Sequence, residues 1–173
     1  MNRFWLWTAQ GAGLGRIPVA PGTFGSLAGL LWFALLLCTG EFWCVAALSL
    51  AALPLCAWIC GQAAQILRDR DPPSVVLDEI VAVPICYLAW VGIVAAKTGG
   101  CPGPKYFLSE QTWLLTVAVF AAFRFFDVVK PWPVYQSQSL RHGWGITIDD
   151  ALAAVYANGV VLAAYAGKAM LAR

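Results

Sequence analysis

Three charges at a spacing of three stand out in a chain that has few: Arg124, Asp127 and Lys130, within Phe123-Arg124-Phe125-Phe126-Asp127-Val128-Val129-Lys130-Pro131-Trp132-Pro133. The preceding run, 113–123, is apolar and reads as a helix. Residues i and i+3 are neighbours on one helical face, so the spacing predicts a plus–minus–plus stripe at the end of that helix. Pro131 and Pro133 are expected to stop it, because proline lacks an N–H and clashes with the preceding turn. Such a stripe either pairs with itself and marks a membrane edge or supplies ionisable groups for function.

Two acidic pairs join it. Asp78-Glu79 opens an apolar run that extends to 96, and Asp149-Asp150 opens another, 151–166. At a helix start, such pairs can simply complement the macrodipole, worth ~0.3–1 kcal/mol. Buried without partners, they are costly. Five carboxylates at one membrane edge (Asp78, Glu79, Asp127, Asp149 and Asp150) repel one another unless a cation sits among them. Oxygen-only ligands suit Mg2+, which keeps waters and is completed by substrate phosphate. Arg124 and Lys130 would then face that phosphate, arginine bidentately.

A glycine- and proline-rich segment, 11–25, contains Pro21-Gly22-Thr23-Phe24-Gly25-Ser26. It matches neither the dinucleotide fingerprint nor the P-loop. It reads as a loop leading into a helix that Thr23 or Ser26 can cap. A helix N-terminus there would suit a phosphate, and a plain turn and cap is an equal reading.

The elements that must position these groups are apolar. The chain is 61% hydrophobic and 12% charged, against about 25% charged in soluble domains, and its mean hydropathy is +0.72. Too few charges exist to coat a soluble surface. The expectation is an all-α, multi-helix integral membrane protein, one domain over 1–173, with about five apolar helices. The runs are 27–38, 42–60 (with Pro54 kinking it), 77–96, 112–123 and 151–166; some are short enough to be interfacial or half-inserted. Segment 61–78, with Arg68-Asp69-Arg70-Asp71, 97–110 and 136–145 read as polar connections. No removable signal peptide is read at the N-terminus. The six cysteines include no C-x-x-C pair and read as packing, and one histidine makes a zinc site improbable. A net charge of +2 gives no basic field for nucleic acid. Composition sets no oligomeric state.

Five segments alternate sides. Connections 1–25, 61–79 and 124–150 carry Arg3, Arg16, Arg68, Arg70, Arg124, Lys130 and Arg141, whereas the opposite set holds Lys97, Lys105, Lys168 and Arg173. The excess places the first set in the cytoplasm. Thr23, Ser26, Asp78, Glu79, Arg124, Asp127, Lys130, His142, Asp149 and Asp150 then share that face.

Four motifs now occur in order: Pro21-Gly22-Thr23-Phe24-Gly25-Ser26-Leu27, Leu77-Asp78-Glu79, the Phe123–Pro133 stretch, and His142-Gly143-Trp144-Gly145-Ile146-Thr147-Ile148-Asp149-Asp150. Together they resemble the phosphatidylglycerophosphatase A family of bacterial inner-membrane lipid phosphatases, over nearly the whole chain. The resemblance implies Mg2+-dependent removal of the terminal phosphate of phosphatidylglycerophosphate, giving phosphatidylglycerol. It implies metal ligands among Asp78, Glu79, Asp127, Asp149 and Asp150, and catalytic or phosphate-binding roles for Arg124 and Lys130. Thr23, Ser26 and His142 would lie along the substrate. The rival is a small transporter or cation-binding membrane protein using the same carboxylates, which predicts charges in mid-span rather than at helix ends.

Overall fold

The structure, a computed structural model, describes residues 2–171. Met1 and Arg173, the latter one of the cations counted above, lie outside the described residues. The elements are α1 (Asn2–Ala9), a 3-10 turn (Gly11–Arg16), α2 (Pro21–Leu37), α3 (Phe42–Leu67), α4 (Leu77–Cys86), α5 (Leu88–Thr98), α6 (Pro104–Phe107), α7 (Trp113–Val129), α8 (Val134–Ser137) and α9 (Trp144–Leu171). No strand occurs among the described residues, so the fold is all-helical as expected.

Three helical stretches are long and apolar enough to cross a membrane: Phe42–Leu67, Leu77–Thr98 taken across its break, and Trp144–Leu171. The apolar helices α2 and α7, of 17 residues each, are shorter. Beyond a buried apolar core, large apolar side chains also cover the outside, and several polar groups are buried. Leu31, Leu35 and Leu114 stand 63–70% exposed, whereas Ser26, Asp78, Asp149 and Asp150 are buried. In water that pattern would forfeit the hydrophobic driving force; against lipid it costs nothing. Exposed Trp7, Trp132, Tyr135 and Trp144 lie in or beside the segments that carry the charges, as aromatic side chains do at a membrane–water interface.

Several boundaries differ from the sequence expectation. Helix α3 runs through Pro54 and on to Leu67, so 61–67 is helix rather than connection. Pro21–Ser26 is helix too: α2 starts at Pro21 with Ala20 in a left-handed conformation and no side-chain cap. Thr23 and Ser26 therefore sit inside α2, and the Ser26 hydroxyl donates back to the Gly22 carbonyl at 2.9 Å. Helix α9 begins at Trp144, so Asp149 and Asp150 lie in its second turn, not at its start. Helix α7 ends at Val129, and Lys130 follows in a left-handed conformation (φ 47°). Lys130 is thereby turned out of the expected helical stripe. Of the cysteines read as packing, Cys56, Cys60 and Cys86 are buried, but Cys38 and Cys44 are exposed on the outer surface.

Helix α9 is the axis of the bundle, packed by α3, α4, α5, α7 and α8. Helix α2 lies against α4 through glycines: a Cβ at Gly25 would come within 2.8 Å of the Val76 Cβ, and one at Gly29 within 2.7 Å of the Val83 Cβ. Such backbone approach is what small residues permit between membrane helices. Away from the charged groups, Phe33 stacks on Tyr87 at 4.7 Å and meets Phe107 edge-on at 5.0 Å. The Tyr87 hydroxyl donates to the Thr116 carbonyl at 2.8 Å, tying α7 to the α4–α5 junction.

Candidate active site

The starts of α2, α4 and α9 and the end of α7 meet at one end of the bundle. Asp78 and Glu79 sit in the first turn of α4. They point at the second turn of α9, where Asp150 completes a group whose ligand oxygens all lie within 4.8 Å of one another. Asp78 Oδ1, Glu79 Oε2 and Asp150 Oδ2 are buried and have no hydrogen-bond partner.

Electrostatics decides what this trio needs. At an effective dielectric of about 20, two unit charges at that spacing repel by roughly 3.5 kcal/mol, so three pairs approach roughly 10 kcal/mol. A helix dipole returns only ~0.3–1 kcal/mol per charge. That sum is comparable to the whole stability of an ordinary domain, about 5–15 kcal/mol, so the three cannot all be ionised together without a counter-charge among them. Three buried, unpartnered carboxylate oxygens facing one point are therefore a fit for a hard divalent cation with oxygen ligands.

Arg124 borders the trio. Its Nη1 pairs with Asp127 Oδ2 at 2.7 Å, one turn along α7, and lies 4.0 Å from Glu79 Oε1. The same nitrogen donates to the Ser26 hydroxyl at 3.3 Å. Gly22 at the start of α2 closes the corner. A Cβ there would collide with Glu79 Oε1 and come within 3.4 Å of Arg124 Nη2. The glycine is what lets the α2 backbone reach the carboxylate.

Asp149 is arranged differently. Its Oδ2 accepts from Lys130 Nζ at 2.6 Å and from Gln138 Nε2 at 3.1 Å, and its Oδ1 accepts from the Asp150 N–H at 3.1 Å. Burial alone would pull the Lys130 ammonium down. The hydrogen bond to Asp149 and the charges of Asp149, Asp150 and Asp127 outweigh that and raise it above the usual lysine value. Lys130 is thus a fixed cation at any physiological pH.

Of the five carboxylates expected as metal ligands, the structure gathers Asp78, Glu79 and Asp150 and gives Asp127 and Asp149 basic partners. Thr23 is half-buried in the first turn of α2, and its side chain makes no hydrogen bond among the described residues. His142 is exposed, with φ 60°, and lines a cavity beside Gly61 rather than joining the trio. Sequence reasoning missed Gly22 and Gln138. The Gly22-x-x-Gly25-x-x-x-Gly29 spacing was a signal for the first; nothing marked the second.

Fold and site define a class: a helical membrane protein with a buried acidic centre, bordered by a guanidinium, where its spans end. A sequence profile of the phosphatidylglycerophosphatase A family matches residues 7–165. A phosphatidylglycerophosphatase A from Haemophilus influenzae is 36% identical over 156 residues, covering 90% of this chain and 85% of that protein. One from Escherichia coli is 28% identical over 165 residues, covering 93% and 83%. A putative phosphatidylinositol-3-phosphatase from Bacteroides thetaiotaomicron is 33% identical over 150 residues, covering 84% of each. No solved structure gives a significant match. The chain belongs to the phosphatidylglycerophosphatase A family, and with it to the phosphoric monoester hydrolases.

Proposed function

We propose that this protein is a Mg2+-dependent phosphatase that hydrolyses the terminal phosphate of phosphatidylglycerophosphate, giving phosphatidylglycerol at the cytoplasmic face of a bacterial inner membrane. The observation that carries this reading is the set of three unpartnered carboxylate oxygens of Asp78, Glu79 and Asp150 beside Arg124. These three would hold the metal. A bound Mg2+ would offset their charge and polarise phosphoryl oxygens.

The protein's own groups account for the remainder. Arg124 is held by Asp127 and Ser26 on the rim of the trio, so its planar fork is oriented before substrate arrives and can offset charge on the transferring phosphoryl group. Lys130 is engaged by Asp149 and adds a second fixed positive charge near by. Hydrolysis breaks the bond between phosphorus and the glycerol oxygen and adds water across it: the hydroxyl goes to phosphorus, and the proton ends on the glycerol oxygen, which leaves as an alcohol. The acyl chains stay in the bilayer, so only the headgroup enters. The cation excess of the connections at this end supports the cytoplasmic orientation. Purified protein should release phosphate from phosphatidylglycerophosphate with Mg2+ and lose that activity with a chelator. No Mg2+-dependent release across several detergents would overturn the assignment.

A further inference from the structure

A group of exposed arginines lies beside the acidic centre, not in it. A cavity of about 440 Å³ opens between the end of α3, the turn after it and the connection leading into α9. Gln65, Arg68, Arg70, Gln138, Arg141 and His142 line it. Arg68, Arg70 and Arg141 are exposed, and none of them is in an ion pair among the described residues. The single acid on the wall, Asp69, is turned to its own loop, where its Oδ1 accepts from the Asp71 N–H at 3.3 Å. Three guanidiniums and the Gln65 amide around one hollow offer donors whose chemistry suits an oxyanion.

The cavity is built rather than incidental. A Cβ at Gly143 would collide with the Ala57 carbonyl oxygen, and one at Gly61 would come within 2.9 Å of the Gly143 nitrogen. These glycines draw the connection down onto α3 and shape the floor. The wall also touches the centre. Gln138 both lines the cavity and donates to Asp149, the neighbour of Asp150. Gly145 lines it one helical stretch of five residues before Asp150, which is ~7.5 Å along the axis.

We propose that this cavity is the headgroup subsite and that it binds the phosphodiester of an anionic phospholipid. The inference rests on the phosphatase reading above. Phosphatidylglycerophosphate carries two phosphates, a monoester to be cleaved and a diester that stays, joined by a short glycerol bridge. The acidic trio and Arg124 suit the first; Arg68, Arg70 and Arg141 suit the second. Relatives matched over most of this chain carry names with different headgroups, glycerophosphate and inositol phosphate. Both named lipids carry a phosphodiester beside the monoester, so one diester subsite would serve either headgroup.

The test is the triple variant R68Q/R70Q/R141Q against the wild type in zwitterionic detergent. KM for phosphatidylglycerophosphate should rise at least about tenfold, the effect of losing one charged hydrogen bond, with kcat kept within about twofold. Inhibition by phosphatidylglycerol, which has the diester but no monoester, should weaken in parallel, and inhibition by inorganic phosphate should not. Arg3→Gln, which removes an exposed charge elsewhere, should leave KM unchanged. An unchanged KM overturns the proposal, as does a shift confined to inorganic phosphate or an equal shift in Arg3→Gln. Wild-type protein that fails to hydrolyse the lipid refutes the phosphatase reading instead. The subsite is then still tested by binding of short-chain phosphatidylglycerol to wild type and triple variant, and equal binding overturns it.

Discussion

Helix α4 carries polar business at both of its ends, and the two ends are treated oppositely. At its C-terminal end, the Asn158 amide of α9 donates to the Ile85 carbonyl at 2.6 Å and accepts from the Ala89 N–H at 2.7 Å. Those two groups would bond to each other in an unbroken helix; the amide has been inserted between them. Its second hydrogen goes to the Ala154 carbonyl at 2.9 Å. At the N-terminal end, Asp78, Glu79 and Asp150 hold oxygens with no partner at all. Lipid offers nothing to bond to, so the first arrangement is complete in itself, whereas the second is complete only with something from outside. A satisfied polar group in an apolar bundle is architecture; an unsatisfied cluster is a site.

The sharpest way to break that contrast is Asp150→Asn. It removes one of three mutually repelling charges and one metal-facing oxygen, with almost no change in volume. Phosphate release should fall at least about a hundredfold in kcat/KM, or roughly 2.7 kcal/mol. The thermal midpoint in the same detergent should hold or rise. A midpoint that drops along with activity would make the trio structural and erase the difference between the two ends of α4.

A smaller effect is expected at Arg124, which touches both categories: it is paired to Asp127 and open towards the trio. Lysine keeps the charge and the helix propensity but not the planar fork. Arg124→Lys should fold and insert, and lose at least about tenfold in kcat/KM. Full activity would reduce Arg124 to a counter-ion for Asp127.

What could be read from the sequence follows the same division. The acidic pairs, the Arg124–Asp127 spacing and the apolar runs were legible because each is a local pattern with a physical period. Lys130 was misplaced because periodicity cannot show that α7 stops one residue earlier, with Lys130 turned left-handed towards Asp149. Residues 61–67 read as connection because Gln62 and Gln65 interrupt the apolar run, although a helix at a membrane edge carries such residues comfortably. The alternating Arg68-Asp69-Arg70-Asp71 run reads only as part of a polar connection. Only the fold brings Arg141 across to it. Asn158 gave no signal at all, since one amide in an apolar run looks the same whether it faces lipid or a broken helix.

Asn158→Leu tests the satisfied end. Leucine fills a similar volume but leaves the Ile85 carbonyl and the Ala89 N–H either orphaned or forced to close the helix, which would swing α5 away from α9. Leaving buried backbone groups unpaired costs about 1–3 kcal/mol. The thermal midpoint should therefore fall, while kcat/KM of the protein that remains folded stays within about twofold, because no group of the trio depends on the amide. Circular dichroism melting and phosphate release on the same detergent preparation give both numbers. If activity falls and the midpoint does not, Asn158 acts on the site by setting where α4 lies, and the break between α4 and α5 is part of the catalytic geometry rather than a packing solution beside it.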